Sequence, residues 1–495
     1  MLWLLLLFLT YWIAIEILQK RRLLERYGIK NYGPVLLIRT KKGLKTVENV
    51  ARVRNFWRAF ANLGIPFLFL SMFFMLFLII LADFILLISP PKPSELTSPQ
   101  AALLIPGLNP FIPLIWGFIG LVIAIVVHEL AHAILCRVEG IRVKSLGLIL
   151  ALFPIGAFAE PEEKELMDKN TKRISKIRVF SSGVTSNFFV AFLAFTLFFN
   201  SLPLLDPVIA VVDDDGKQIG RILDVNGVKI SEDFSSSILI RQWNNITIEN
   251  STGKHSMAVF GVWGVKVIGL YREGDKIYPA EIAGIERGML ITKMDGKELR
   301  NFSEFREEMS KRRPGDSVVV EVYDVKANDF KTINITLVDN NGRAFMGVYL
   351  ANFDCLGGLN IFDSRSIVSK LIEAPSQLKN PFGWIFLISM PFSFQGFMGL
   401  ERFFDDPPYL FWLLNSLYWI AWINFYVALF NCLPAIPLDG GRVFQETISG
   451  LLRRFGERGE RFSIQISRAL SIFIFFSIGM MILIPNIDIS TMLDK

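Results

Sequence analysis

Cysteine and histidine are both scarce in this chain, with three of each among 495 residues. Cys136, Cys355 and Cys432 form an odd, scattered set that supports no disulfide framework. His128 and His132 are close together and His255 is far away, so any metal site built on the pair needs a carboxylate as its third ligand. A strong charge excess is missing too. The net charge is +6 and arises mainly in loops suited to an anionic membrane surface, which gives no reason to infer nucleic acid binding. The N-terminal run lacks the basic start and small-residue cleavage site of a secretory signal peptide, so it is expected to remain as an anchor.

Apolar sequence is abundant: 52% of residues are hydrophobic and the mean hydropathy is +0.43, too high for an ordinary soluble protein. Runs of about 18 or more apolar residues mark membrane spans. Six are read, at 1–18, 64–90, 111–136, 179–200, 410–433 and 463–484. Basic residues hold short loops in the cytoplasm. Twelve Lys and Arg lie between Lys20 and Arg58, whereas the 91–110 loop has only Lys92 and the C-terminal tail only Lys495. Both chain ends are therefore expected outside. The Phe-, Gly- and Met-rich stretch at 381–400 is read as interfacial or re-entrant, because a full crossing would reverse the later spans.

Inside the run from Phe111 to Cys136 lies His128-Glu129-Leu130-Ala131-His132. Residues four apart share a helix face, so the two imidazoles can hold one zinc ion with Glu129 beside an attacking water. Ionisable groups are costly in hydrocarbon and are usually functional there. Cys136, one turn further, reads as a small apolar packing residue rather than a soft ligand. A later run ends in Asn431-Cys432-Leu433-Pro434-Ala435-Ile436-Pro437-Leu438-Asp439-Gly440. HExxH in one span and this NxxPxxxLDG-like element in another resemble the site-2 protease family of intramembrane zinc proteases. The resemblance implies that His128, His132 and Asp439 bind zinc and that Glu129 is the general base. Pro434, Pro437 and Gly440 break and turn the chain there. Gly183-Val184-Thr185-Ser186-Asn187 resembles the family's Gly-Pro-x-x-Asn element, with Val184 in place of proline. Asn187 and Asn431 are candidates to hydrogen-bond the substrate backbone or the oxyanion, or else to cap a helix.

From Val143 to Glu160 the sequence reads as a β-hairpin. The family places such a membrane-associated sheet beside its zinc. A helical substrate hides its carbonyls in its own hydrogen bonds, and an edge strand supplies replacement partners where unpaired groups cost several kcal/mol each. The strand-like Tyr32 to Arg39 piece reads as a basic surface loop in preference to a further strand joined to that hairpin. Between 206 and 350 the composition turns polar, with short β-branched runs. The order of strand, Asp295-Gly296 turn, helix from Phe302 to Lys311, Pro314-Gly315 turn and strand resembles a PDZ domain, a module that binds peptides as an added strand. Gly220 to Ile230 repeats the strand and turn, as half of a degenerate second unit or as a plain hairpin. Sequons at Asn245, Asn250, Asn301 and Asn334 suit an outer location.

The expected fold is a polytopic α-helical membrane protein with about six transmembrane helices, a membrane-associated β-hairpin and an extracytoplasmic α+β PDZ-like domain. Its expected parts are an anchor and basic cytoplasmic loop (1–63), the first part of the protease core (64–205), the PDZ-like domain (206–350), a linker and gating segment (351–409) and the second part of the core (410–495). The family resemblance implies a Zn2+ endopeptidase with its site toward the cytoplasm. Its implied partners are membrane lipid, single-span membrane protein substrates and an upstream site-1-type protease. The rival readings are a receptor or adaptor with a structural zinc site and a zinc transporter, which would need more intramembrane ligands than these.

Overall fold

In a computed structural model the chain is described at residues 2–26, 29–91, 93–151, 153–168, 170–230, 234–340, 342–380 and 383–486. Met1, Lys92 and Lys495 lie outside them. The chain divides into two compact units, one of Met1–Ser201, Asn380–Met398 and Tyr409–Lys495, the other of Leu202–Lys379 and Gly399–Pro408.

The first unit is helical. Its main helices are α1 (Leu2–Lys20), α2 (Arg54–Ile88), α3 (Leu114–Val138), α4 (Arg173–Ser201), the short α5 (Gly383–Ser393), α6 (Pro408–Asn431), α7 (Asp439–Leu451) and α8 (Gly456–Leu483). Among the described residues five segments are long and apolar enough to cross a membrane: Arg54–Ile88, Leu114–Val138, Arg173–Leu204, Pro408–Asn431 and Asp439–Asn486. This is an integral membrane protein. The first of the six expected spans, 1–18, corresponds to α1, a helix of 19 residues that is not among these five.

α3 and α6 run parallel, with Trp116 edge-on to Trp412 and Gly120 against the Trp419 carbonyl, which a Cβ would approach to 2.7 Å. α4 runs the other way and packs against both, placing Val179 beside His132, Asn187 beside His128 and Phe195 against Trp422. At the His132 end of α3 the buried Glu139 carboxylate accepts hydrogen bonds from Arg58, Ser175 and Arg178, tying α2, α3 and α4 together. Burial pushes the Glu139 pKa up, but the bonds from Ser175 and Arg58 outweigh it and hold the carboxyl below its usual range.

The expected hairpin is present as β3 (Val143–Ala151) and β4 (Phe153–Pro161), joined by β1 (Ile29–Tyr32) and β2 (Val35–Thr40) in a sheet of order β1-β2-β3-β4. The reading of Tyr32 to Arg39 as a surface loop is thus corrected. Leu36 to Thr40 pairs with Leu150 to Leu146. The run Val35-Leu36-Leu37-Ile38 is a half-buried strand whose basic neighbours disguised it. β4 is the outer strand at one edge of this sheet and β1 the outer strand at the other.

α5 has 11 residues, about 16 Å at 1.5 Å per residue, against roughly 30 Å of hydrocarbon. It is strapped antiparallel along α6. Tyr426 donates to the Ile388 carbonyl (2.5 Å), Tyr418 to Phe394 (2.6 Å) and Trp419 to Gln395 (3.2 Å), while the Asn415 side chain accepts from the Phe397 amide (2.7 Å). α6 ends at Asn431, before the expected prolines. The 432–438 connection is fixed by the Ile436 amide donating to Ser471 Oγ at 2.8 Å.

The second unit is β-rich, with one sheet running through Asp329–Thr336, Ser317–Asp324, Leu290–Met294, Trp263–Leu270, Asp354–Leu356, Leu359–Asp363, Ile209–Val212, Gln218–Val225, Trp243–Asn250 and Gly253–Phe260. It buries one core around Val265, Ile291, Val320 and Ile335 and another around Val211, Ile246 and Leu356. The strand, turn, helix, turn, strand order is as read: Asp295 and Gly296 take positive φ, helix Phe302–Ser310 follows, and Gly315 turns into Ser317–Asp324. Asn301 caps that helix, its side chain accepting from the Glu304 amide at 3.0 Å. After the hairpin Gln218–Val225 and Val228–Lys229, the described residues hold only the one-turn segment Ser235–Ser237 where the other lobe has its helix. The sheet continues past 350, through Asp354–Leu356 and Leu359–Asp363.

Candidate metal centre

His128 and His132 leave α3 on one face, one turn apart, and their rings meet edge to face with centroids 4.8 Å apart. Asp439 comes from the far end of the sequence as the first residue of α7, where the unpaired amides of a helix start favour a carboxylate. Its Oδ2 stands 3.0 Å from His128 Nε2 and 3.1 Å from His132 Nε2. The three ligand atoms lie within 4.8 Å of one another, the one such group among the described residues. Cys136 lines the adjoining cavity without joining this group, and His255 lies in the other unit beside Thr252.

α4 forms the back wall. At Gly183 a Cβ would stand 2.5 Å from His132 Nε2 and 2.7 Å from His128 Nε2, so glycine alone leaves room for the imidazoles. His132 Nδ1 lies 2.8 Å from the Val179 carbonyl, which keeps the proton on Nδ1 and turns the Nε2 lone pair toward Asp439. Two imidazole nitrogens and a carboxylate oxygen converging in a cradle that a methyl group would fill suit a metal ion. Three protein ligands, rather than four, is the pattern of catalytic sites.

The open side is a cavity of about 330 Å³ lined by His128, Glu129, Ala159, Phe180, Asn431, Pro437 and Arg442 among others. Glu129 Oε2 accepts the Ala159 backbone N–H of β4 at 2.8 Å, so the acid sits between the histidines and the free strand edge. Asn431 lines the cavity while its Nδ2 donates to the Val427 carbonyl at 3.0 Å. Asn187 is fully buried and does not line it. Pro434 lies in the connection, and Gly440 packs where a Cβ would come within 2.3 Å of the Cys432 carbonyl.

A family model, peptidase family M50, matches residues 116–474. The chain belongs to that family. It is a metalloprotease, and proteins are its substrates. The chain is 26% identical over 455 residues to an uncharacterized protein of Methanocaldococcus jannaschii, covering 91% of this chain and 87% of that one. It is also similar to the PDZ domains of SdrC-like proteins from Listeria monocytogenes (26% identity, TM-score 0.16, 18% of this chain and 86% of that one) and Listeria innocua (28%, 0.15, 18% and 92%).

Three parts of this M50 site escaped the sequence reading. The Val179 carbonyl and the Ala159 amide are backbone groups with no residue signature. Gly183 was visible in its motif, but the need for it appears only once α4 is laid against α3.

Proposed function

We propose that this M50 peptidase is a zinc endopeptidase that cleaves single-span membrane proteins within or next to their transmembrane helix. His128, His132 and Asp439 hold the zinc, which when bound supplies Lewis acidity toward a carbonyl and lowers the pKa of a water to about 7. Glu129 takes the proton of the attacking water and returns it to the leaving amine. Asn431, on the cavity wall, donates to the substrate backbone or the oxyanion. The substrate unwinds locally and pairs with β4, whose edge faces Glu129. The alternation of basic loops favours a site near the cytoplasmic face and a β-rich unit outside. There its PDZ-like lobe acts as a size filter or reader of a terminus freed by an upstream site-1-type protease, before an inner fragment is released. An adaptor with a structural zinc site needs a fourth protein ligand, and the described residues bring together three.

The observation that carries this reading is the convergence of His128, His132 and Asp439 beside Glu129 on helices of membrane-spanning length. The test compares wild type with Glu129→Gln in liposomes on single-span substrates, with zinc content measured alongside. The variant is expected to keep its zinc and to cleave at least about 100-fold more slowly. Equal cleavage by both would overturn the hydrolytic reading.

A further inference from the structure

Among the described residues His128 lacks the acceptor that His132 has. A histidine that ligates through Nε2 carries its proton on Nδ1 and gives it to an acceptor, which fixes the ring and makes the ligand more basic. His132 has the Val179 carbonyl. His128 Nδ1 faces Asn187 at 3.3 Å, through the amide nitrogen. The other end of that amide, Asn187 Oδ1, is buried without a hydrogen-bond partner among the described residues. An orphaned buried acceptor costs about 1–3 kcal/mol, and here it belongs to a side chain that already touches the donor position in need of it.

We propose that Asn187 is a positioning residue for the metal site, presenting its amide oxygen to the Nδ1–H of His128. A half-turn of the amide about its terminal bond makes this contact, pairs Oδ1, and leaves the Nε2 lone pair of His128 facing Asp439 Oδ2. The geometry of α4 supports the assignment. Val179, Gly183 and Asn187 recur every fourth residue and so share one face, opposite His128 and His132, which are also four apart. That face supplies an acceptor, a gap and an acceptor. Because Asn187 is fully buried and off the cavity wall, it acts through His128 and not on the substrate.

The proposal rests on the reading of His128 as a zinc ligand, and the experiment separates the two. Full-length protein in detergent, as wild type, Asn187→Leu, Asn187→Asp and His128→Ala, is titrated with Zn2+ against a chromogenic chelator and with Co2+ by visible absorption. Cleavage is measured at saturating zinc. Asn187→Leu, which has no acceptor, is expected to weaken zinc binding about 10–100-fold and to shift the Co2+ bands, with cleavage recovering as zinc saturates. Asn187→Asp, which can only accept, is expected to bind zinc as tightly as wild type or tighter. This variant decides the matter even if Asn187→Leu does not fold, since a side chain needed for its N–H would fail as Asp. Wild-type zinc affinity in Asn187→Leu, or zinc binding weakened by Asn187→Asp, would overturn the role of Asn187 while His128→Ala still lost zinc. Unchanged zinc affinity in His128→Ala would overturn the ligand reading as well.

Discussion

Ala159 gives its backbone N–H to the Glu129 carboxylate at 2.8 Å, so a strand edge and a general-base candidate share one hydrogen bond. That bond fixes which way β4 faces. Ala159 opposes Leu146 and Ala157 opposes Leu148 on β3. With the Ala159 N–H turned toward Glu129, alternation turns the Ala157 backbone groups off the sheet as well. These are the groups an unwound substrate can pair with. Ala157→Pro removes one outward N–H without taking a ladder bond from β3. Cleavage of single-span substrates should fall roughly five- to tenfold, the equivalent of about 1–1.4 kcal/mol, with zinc content unchanged. Wild-type turnover would dismiss substrate pairing at this edge.

Gly183 tests the back wall independently. A Cβ there meets His132 Nε2 at 2.5 Å and His128 Nε2 at 2.7 Å, too close to be accommodated without moving the rings. Gly183→Ala should therefore lose zinc stoichiometry and cleavage together, while the thermal transition of the helical unit changes far less than zinc binding. Zinc content is read by atomic absorption. A fully loaded, active variant would mean that the histidines sit elsewhere in the working enzyme.

The convergence of His128, His132 and Asp439 and the parallel course of α3 and α6 were legible because they rest on side chains with distinctive chemistry and on the orientation of long apolar runs. Trp116 against Trp412 and Gly120 against Trp419 are the packing consequence of that parallel course. What stayed hidden depends on backbone groups and on partners remote in sequence. β2 read as a loop because its pairing with β3 lies about a hundred residues away, and because Arg39, Lys41 and Lys42 crowd the end of its apolar run. Asn187 and Asn431 look alike in sequence, yet burial separates them: one faces His128 from behind, the other lines the cavity.

In the β-rich unit, Glu308 binds helix Phe302–Ser310 to its neighbours. Its side chain is 7% exposed and accepts from Lys297 and from Lys311, the latter at 2.7 Å. Those two bonds, foremost the one from Lys297, hold its carboxyl down at about 2. Because the unfolded value is near 4.3, the stabilisation is complete above about pH 5 and is lost as pH falls toward the folded value. Glu308→Gln lacks it throughout. Unfolding midpoints of the full chain in detergent should therefore differ most at pH 6, still differ by roughly half as much at pH 3, and converge only as the pH falls below about 2. A gap that stays constant with pH would assign the effect of the variant to packing instead.

α5 and the turn after it are held to α6 by hydrogen bonds from α6 side chains to their backbone. Tyr418→Phe removes the donor to the Phe394 carbonyl and Asn415→Ala removes the side-chain acceptor of the Phe397 amide, each at a cost of about 0.5–1.5 kcal/mol. The double variant should loosen 394–398, seen as faster amide hydrogen exchange there, while exchange at α3 and zinc content stay as in wild type. We expect this segment to control which helices reach β4, because it is a short apolar helix fixed by four hydrogen bonds rather than a full crossing. If so, the double variant and a deletion of Gln395 to Leu400 should both change the ranking of single-span substrates by initial cleavage rate. Faster exchange with an unchanged ranking would show that the strap is structural and that substrate enters by another side.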